Sequence, residues 1–271
     1  MEPVTTIGIG AITAYLGKDG LTKILGPTAD YLGGELKVFT QKRVDNIGKI
    51  FSSAEKKLGD KINEQGAVSP KVLKTIVNEG SYSEDEVAVE YFGGVLASSR
   101  TDIARDDRGS RVAKTLDNLS CYQLRAHYLI YSSIAKNCSL NEESLTNHIG
   151  RKKCQIFLPL EQFAAAMEFT QKEWDNPQLL SHIFNGLSSD GLIADSWGFG
   201  PPDHLKQYIH NKESILSTTG LICEPTIAGI ELFLWGFGLG DKSLNDIFNE
   251  SYDFTFTVPL KVITNVQQVG K

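Results

Sequence analysis

The chain has 271 residues, of which 41% are hydrophobic and 22% are charged, and its formal net charge is −6. That length is enough for one large domain or two modest ones, and the composition is that of a globular protein rather than a fibrous or disordered one. The acidic balance disfavours general affinity for nucleic acid, because neutralising phosphates requires clustered Lys and Arg side chains.

Residues 1–34 form an arm that is apolar, nearly uncharged and rich in glycine. Small residues let helices approach closely, so we expect this arm to pack on the body of the protein, to pair with a second copy or to lie at a membrane surface, with disorder as the remaining alternative. Its candidate contact residues are Ile7, Ile9, Ile12, Tyr15, Leu16, Leu21, Ile24 and Leu25.

The expected location is the cytoplasm, with peripheral contact to the inner membrane through this arm. No apolar run in the sequence reaches the ~20 residues that a membrane-spanning helix needs. Glu2 places an acidic residue where a secretory signal has positive charge.

Residues 35–118 are predicted to form a helical domain. Apolar residues recur every three or four positions from Tyr31 to Leu58, which indicates one face of a long amphipathic helix. Ser69-Pro70 is typical of the start of a second helix. Ser83, followed three residues later by Glu86, predicts a capping box at the start of a third helix.

A glycine pair, Gly93 and Gly94, falls in the middle of the third predicted helix. Glycine inside a helix costs up to about 1 kcal/mol relative to alanine. We therefore expect the pair to permit close packing against a neighbouring helix.

Residues that often carry chemistry do not form a recognisable site in the sequence. Asp102, Asp106 and Asp107 could bind a divalent metal ion, but no histidine accompanies them, so a solvated turn is the expected structure. The four cysteines match neither a CxxC pair nor a zinc ribbon, and we expect them to be reduced. No phosphate-binding loop, HExxH pair or nucleophile elbow is present, so we expect no cofactor and no enzymatic activity.

The region from Ser120 to Gly238 carries the most informative pattern. Its elements follow the order helix, strand, helix, helix, strand, wing, strand, helix, which is typical of a winged helix-turn-helix domain, here 119–240. The predicted fold class is therefore mainly α with a small β component, in which an N-terminal helical region precedes a winged-helix-like α+β domain. The expected bounds are a helix capped by Ser120, a strand at 154–159, helices at 161–174 and from Pro177, a strand at 191–197, a wing at 198–211, a strand at 217–224 and a helix from Ile227.

The remaining residues, 241–271, form a C-terminal extension. Alternating Phe254, Phe256 and Val258 predict one strand at 252–258. Residues 265–271 are expected to be loose, as chain termini commonly are.

The helix that should read DNA, from Pro177 onward, contains no Lys or Arg. Recognition helices need hydrogen-bond donors for base edges and cations for phosphates. A winged helix that contacts protein or is purely structural is therefore the favoured interpretation, with a DNA-binding regulator as the alternative. In that alternative the contacts would come from Arg151, Lys152, Lys153, His182, Asn185, Lys206 and Lys212.

Several stretches together resemble the bacterial Abi-alpha family, over about residues 26–238. They are Gly26–Gly33, Val68–Ile76, Ser83–Val87, Tyr91–Ala97, Gly191–Ile193 and Thr226–Phe233, although Tyr91-Phe92 and Gly93-Gly94 depart from the family pattern. The resemblance implies a role near abortive infection, in which a bacterium stops growing when a phage infects it, and it supplies no catalytic residues. The expected function is thus a non-enzymatic defence or growth-arrest protein that acts through protein contacts, self-association or a membrane surface.

Overall fold

A computed structural model describes residues 41–83, 85–103, 105–140 and 143–271. The candidate contact residues of the N-terminal arm lie outside these described residues. The chain divides into two compact units. The helical unit comprises the described residues up to Cys121 together with Leu234–Asp241, and the winged-helix unit comprises Tyr122–Phe233 together with Lys242–Lys271.

The helical unit is built from four helices and a two-stranded ribbon in its described part. The ribbon pairs the two strands antiparallel, with Ala67 opposite Thr101. The elements are α1 (Gln41–Leu58), a 3-10 helix (Gly59–Asn63), β1 (Ala67–Val68), α2 (Pro70–Gly80), α3 (Glu86–Ser98), β2 (Arg100–Thr101) and α4 (Arg108–Asn118).

Helix starts in this unit follow local sequence signals, with one correction. Helix α2 begins at Pro70, as predicted. The prediction that Ser83 caps α3 is wrong, because the N-cap is Asp85, whose carboxylate accepts a hydrogen bond from the Ala88 backbone N–H at 3.1 Å. A carboxylate at this position satisfies an otherwise unpaired N–H group and also complements the helix dipole, so the helix starts two residues later.

The core of the helical unit lies between α1, α2 and α3. Its largest fully buried side chains include Phe51, Tyr91 and Phe92. A buried polar group accompanies them: the Lys57 ammonium and the Ser53 hydroxyl both donate hydrogen bonds to the Glu90 carboxylate. Burial lowers the pKa of Lys57, and the neighbouring Glu90 carboxylate opposes that effect.

The winged-helix unit follows the predicted order of elements, except that the helix predicted at 161–174 is divided in two and the second strand lies within the predicted wing. Its sheet pairs antiparallel strands in the order β4 (Gly198–Gly200), β5 (Gly220–Cys223), β3 (Ile156–Pro159) and β6 (Gln267–Gln268), so the first and third strands of the motif pair and the second lies at an edge. The elements, of which the first residue of α5 and the last three residues of α11 belong to the helical unit, are α5 (Cys121–Asn137), α6 (His148–Lys153), β3 (Ile156–Pro159), α7 (Leu160–Met167), α8 (Gln171–Trp174), α9 (Pro177–Ser189), β4 (Gly198–Gly200), α10 (Pro202–Leu205), β5 (Gly220–Cys223), α11 (Ile227–Gly236), a 3-10 helix (Leu244–Phe248) and β6 (Gln267–Gln268). The prediction of a mainly helical fold with a small β component is confirmed.

One continuous helix was predicted at 161–174, and the structure corrects this to two. Helix α7 ends before Glu168, which adopts a left-handed conformation with φ of 57°. Thr170 and Glu173 then form a capping box that starts α8. The Thr-x-x-Glu spacing is typical of a helix start. It begins a new helix here although the apolar pattern on both sides is that of one continuous helix.

The strand predicted at 191–197 is also wrong. Within that stretch the only pairing is an isolated bridge between Ile193 and Pro225, and the strand itself lies at Gly198–Gly200, inside the predicted wing. The Ser188 hydroxyl donates to the Asp195 carboxylate at 2.5 Å, which ties this stretch to the end of α9.

The C-terminal extension differs from both predictions made for it. Residues 252–258 are described and contain no strand, because Asp253 accepts a hydrogen bond from the Thr255 backbone N–H at 3.0 Å and turns the chain. The expectation that 265–271 is loose is wrong as well. Strand β6 pairs with β3, and the Val269 N–H donates to the Gln155 carbonyl at 2.8 Å. Strand β6 thereby pairs with backbone groups of β3 that would otherwise be exposed at the edge of the sheet.

Candidate interaction surface of the winged-helix unit

Helix α9 occupies the position of a recognition helix, and its two faces differ sharply. Asn176 caps it by accepting from the Gln178 N–H at 3.1 Å. The inner face buries Ile183, Phe184 and Leu187. The outer face exposes Gln178, His182, Asn185 and Ser189. Helix α9 therefore presents a polar surface without fixed charge on an anchored helix.

Aromatic packing and one side-chain hydrogen bond fix the orientation of that surface. The Phe184 ring stacks on Trp197 at 5.2 Å and lies 5.5 Å from Phe163. The Gln123 side chain of α5 donates to the His182 carbonyl at 3.4 Å. Rings in such contact add specific attraction to the area they bury, so the helix is held by more than its own propensity.

Acidic residues flank the exposed face of α9. Glu173 and Asp175 precede the helix, and Asp190 and Asp195 follow it. Hydrogen bonds from the Tyr122 hydroxyl and from Thr170 lower the pKa of Glu173, so its carboxylate is ionised at neutral pH. Lys172 adds one positive charge beside Glu173, so these flanking residues remain net negative and oppose a polyanion.

The basic residues assigned to DNA in the alternative prediction are engaged within the protein. Arg151 donates to the Leu145 and Thr146 carbonyls at 2.8 and 3.0 Å. Lys153 pairs with Glu143. Of the triplet on α6, Lys152 is the exposed member. Two of these three cations would have to leave existing partners before they could bind phosphate.

The two wing lysines are brought together, but they too have partners. Lys206 pairs with Asp203 at 2.8 Å. The Lys212 ammonium donates to the Lys206 carbonyl at 2.8 Å. Both contacts are exposed, so each contributes little to stability. They nevertheless place a carboxylate beside one lysine and turn the other toward the backbone of the wing.

The wing is folded back on the sheet and does not extend away from it. A buried apolar cluster joins the wing to the sheet and to the C-terminal segment; we call it the wing cluster. Its members are Phe157, Leu205, Ile209, Ile222 and Val269, with Tyr208 and Leu216 packed against them. The sequence contained a signal for this arrangement, because Leu205, Tyr208 and Ile209 have the three- and four-residue spacing of a helical apolar face.

The Gln155 side chain holds the same part of the wing by hydrogen bonds to the wing backbone. Its side-chain amide donates to the Tyr208 carbonyl at 2.9 Å and accepts from the His210 N–H at 3.0 Å. Gln155 is fully buried, and buried amides require such partners. The wing is thus positioned by apolar burial and by hydrogen bonds together.

A histidine–carboxylate pair lies at the base of the wing. His210 Nε2 is 2.7 Å from Glu224 Oε2, and the Ser196 hydroxyl donates to the same oxygen at 3.3 Å. In a nucleophile–base arrangement the serine would bond to the imidazole and the carboxylate would orient that ring. Here the serine donates to the carboxylate and not to the imidazole. The cluster therefore joins the wing to strand β5 and its flanking residues but lacks the arrangement of a nucleophile and its base.

His127 has a structural role in the core of the winged-helix unit. It is fully buried, and its Nε2 donates to the Gly229 carbonyl at 3.1 Å. Burial lowers its pKa to about 3, which keeps the ring neutral near pH 7. Within the described residues, no group of three or more His, Cys, Asp or Glu side chains could hold a metal ion.

In the helical unit, the predicted packing glycines lie where other backbone and side-chain atoms come close. A Cβ atom on Gly93 would lie 2.4 Å from the Ser53 hydroxyl of α1. A Cβ atom on Gly94 would lie 1.8 Å from the Gly236 carbonyl oxygen, which belongs to the segment Leu234–Asp241. Real Cβ atoms do not approach other atoms so closely, so any larger residue here forces the backbone to move.

Comparisons of the chain with protein-family models, with curated proteins and with solved structures give no match. No helix among the described residues has the length and apolar character required to cross a bilayer.

Proposed function

We propose that the protein is a non-enzymatic module of bacterial anti-phage defence that contacts another protein through the exposed face of α9. The observation that carries the proposal is the character of that face: uncharged and polar, flanked by carboxylates, on a helix anchored by aromatic packing. Protein surfaces accept such a face by hydrogen bonding, whereas phosphates require cations that it lacks.

Two further features favour protein over DNA as the partner. The wing that would contact the DNA backbone is buried against the sheet through Leu205 and Ile209. Arg151 and Lys153 are engaged by carbonyl groups and by Glu143. Redirecting these groups would cost hydrogen bonds and apolar burial before any phosphate contact formed.

The biological setting rests on the resemblance to the Abi-alpha family, which implies a role near abortive infection. The absence of a catalytic motif in the sequence agrees with an action through contacts. The partner is a protein in this proposal; a second copy of the chain is one candidate.

Phage plating tests the proposal. Bacteria expressing the full chain are compared with cells expressing His182→Ala/Asn185→Ala, which removes two polar groups from the exposed face of α9. The control is Lys172→Ala/Glu231→Ala, two exposed positions on other helices of the same unit. We expect the control to protect like the original chain and the α9 variant to lose protection with an unchanged unfolding temperature.

The outcomes of this experiment test the choice of the α9 surface and the defence role separately. Full protection by the folded α9 variant would show that the surface is wrongly chosen. Absence of protection by the original chain against a broad phage panel would refute the defence role.

DNA binding is tested separately by fluorescence anisotropy with duplex DNA at low and moderate salt. We expect no salt-sensitive binding by the original chain. The variant Gln178→Arg/His182→Lys/Asn185→Arg should gain weak binding, with log K falling against log salt by up to about 0.9 per new phosphate contact. Salt-sensitive binding by the original chain, weakened by Lys152→Ala, would favour the DNA-binding regulator instead.

A further inference from the structure

The winged-helix unit contains a cavity of about 260 Å³ between α5 and the C-terminal segment. Its lining combines apolar side chains with several polar ones. The aromatic and aliphatic members include Tyr128, Ile247, Phe248, Tyr252, Phe254 and Ile263, and the uncharged polar members are Ser132, Ser133, Asn137, Asn249 and Thr255. Small-molecule sites in proteins have this composition, a mostly apolar interior with a few polar groups that fix orientation. The roles assigned to α9 and the wing do not use this cavity.

Tyr128 forms a fixed wall of the cavity. Its hydroxyl donates to the Phe254 carbonyl at 3.3 Å, and its ring stacks on Phe256 with centroids 4.6 Å apart. Burial raises the pKa of Tyr128, with a further contribution from Asp253, so the hydroxyl stays protonated at neutral pH. The hydrogen bond links α5 to the C-terminal segment, so two of the elements that line the cavity are held together.

Charges of opposite sign lie among the lining residues. Lys136 is in the last turn of α5, and Glu250 is in the segment that follows the 3-10 helix. Both are exposed, whereas Ile247 and Ile263 are buried. The site therefore combines an apolar interior with one cationic and one anionic group at the solvent side.

We propose that this cavity binds a small aromatic zwitterion of the amino-acid class. Its ring would lie among Tyr128, Tyr252 and Phe254, its carboxylate would face Lys136 and its ammonium would face Glu250. This site is additional to the α9 surface and does not depend on the function proposed for it.

Size and ring chemistry both support this class of ligand. A cavity of about 150 Å³ accommodates benzene. The cavity of about 260 Å³ therefore has room for a ring and a short polar substituent. Aromatic walls favour an aromatic occupant over an aliphatic one, because rings gain from edge-to-face and offset-stacked contacts.

Isothermal titration calorimetry on the full chain tests the proposal with four probes. L-phenylalanine carries all three recognised features; phenethylamine lacks the carboxylate, phenylacetate lacks the ammonium, and glycine lacks the ring. We expect L-phenylalanine to bind with 1:1 stoichiometry. Each truncated probe should bind at least about tenfold more weakly, the effect of losing one charged hydrogen bond or the ring contacts.

Variants place the binding in this cavity. Lys136→Met and Glu250→Gln should each weaken L-phenylalanine binding about tenfold, whereas Lys172→Met and Glu213→Gln, exposed positions elsewhere in the same unit, should leave it unchanged. Ala135→Phe directs a ring from α5 into the cavity and should abolish binding. Thermal unfolding of each variant checks that the fold is kept.

Three results would overturn the proposal. The first is no heat of binding with L-phenylalanine up to about 10 mM, beyond the weak end of ligand affinities. The second is equal affinity for phenylacetate and L-phenylalanine, which would remove the role of Glu250. The third is unchanged affinity in Lys136→Met and Glu250→Gln, which would place any binding elsewhere even if Ala135→Phe failed to fold.

Discussion

The helical unit and the winged-helix unit both bring backbone atoms close together at glycines, but they differ in the groups that surround those contacts. In the helical unit, α3 brings its backbone against α1 and the segment Leu234–Asp241 at Gly93 and Gly94, beside the buried pair of Lys57 and Glu90. In the winged-helix unit, aromatic side chains fill the interior and a folded wing covers the sheet. A glycine at such a contact leaves no room for a side chain, whereas the outer face of α9 lies outside these contacts and is exposed. Substitutions at the buried contacts of either unit are therefore expected to change stability, and substitutions on the outer face of α9 are expected to change recognition.

The largest expected effect comes from breaking the backbone contact of the helical unit. Gly94→Leu would set a side chain where a Cβ alone lies 1.8 Å from the Gly236 carbonyl oxygen. Overpacking typically costs about 1–3 kcal/mol, and contact with rigid backbone places this variant at about 3 kcal/mol or more. Urea unfolding followed by circular dichroism measures the loss.

The matched control for that variant is Lys114→Leu, at an exposed position of α4. It should change the free energy of unfolding by no more than about 0.5 kcal/mol. A Gly94→Leu variant as stable as the original chain would refute the close-packing argument.

The second prediction contrasts Leu205, in the wing, with Ile215, which follows the wing. Leu205 is fully buried in the wing cluster, whereas Ile215 is 85% exposed. Leu205→Ser should lower the free energy of unfolding by about 2–4 kcal/mol, as for other truncations of buried leucine. Ile215→Ser should change it by less than about 0.5 kcal/mol. Equal effects in urea unfolding would mean that the wing is not held against the sheet.

The smallest predicted effect depends on pH and concerns the core of the winged-helix unit. The pKa of His127 is lowered from 6.5 to about 3 in the folded protein. Between these values the unfolded state binds more protons than the folded state, so the free energy of unfolding rises with pH and falls on acidification. From pH 6.5 to 4.5 the expected loss due to His127 is about 2–3 kcal/mol, an upper value for one residue.

His127→Gln isolates this contribution, because a glutamine amide can donate to the Gly229 carbonyl but does not titrate. Between pH 6.5 and 4.5 the free energy of unfolding of the original chain should fall relative to that of the variant, by about 2–3 kcal/mol. Parallel pH profiles for the original chain and the variant would contradict a buried neutral imidazole.

Local chemistry explains which parts of the fold could be predicted. The starts of α2 and α9 were predicted because Ser69-Pro70 and Asn176-Pro177 determine a helix start over a few residues. The break at Glu168 was missed because a helical pattern continued on both sides of it. Strand β6 was missed because two polar residues, Gln267 and Gln268, gain their conformation only by pairing with β3.

For the candidate surface too, some features could be predicted from the sequence and others depend on the tertiary structure. The sequence alone established that α9 has no Lys or Arg and that Gly93 and Gly94 interrupt a helix, since these are properties of residue type. Only the tertiary structure decided that Arg151 and Lys153 are occupied by internal partners, that the wing lies on the sheet and that a cavity forms beside Tyr128. Those features depend on contacts between residues far apart in the chain, and the free energy of such contacts is set by burial and geometry that local sequence does not specify.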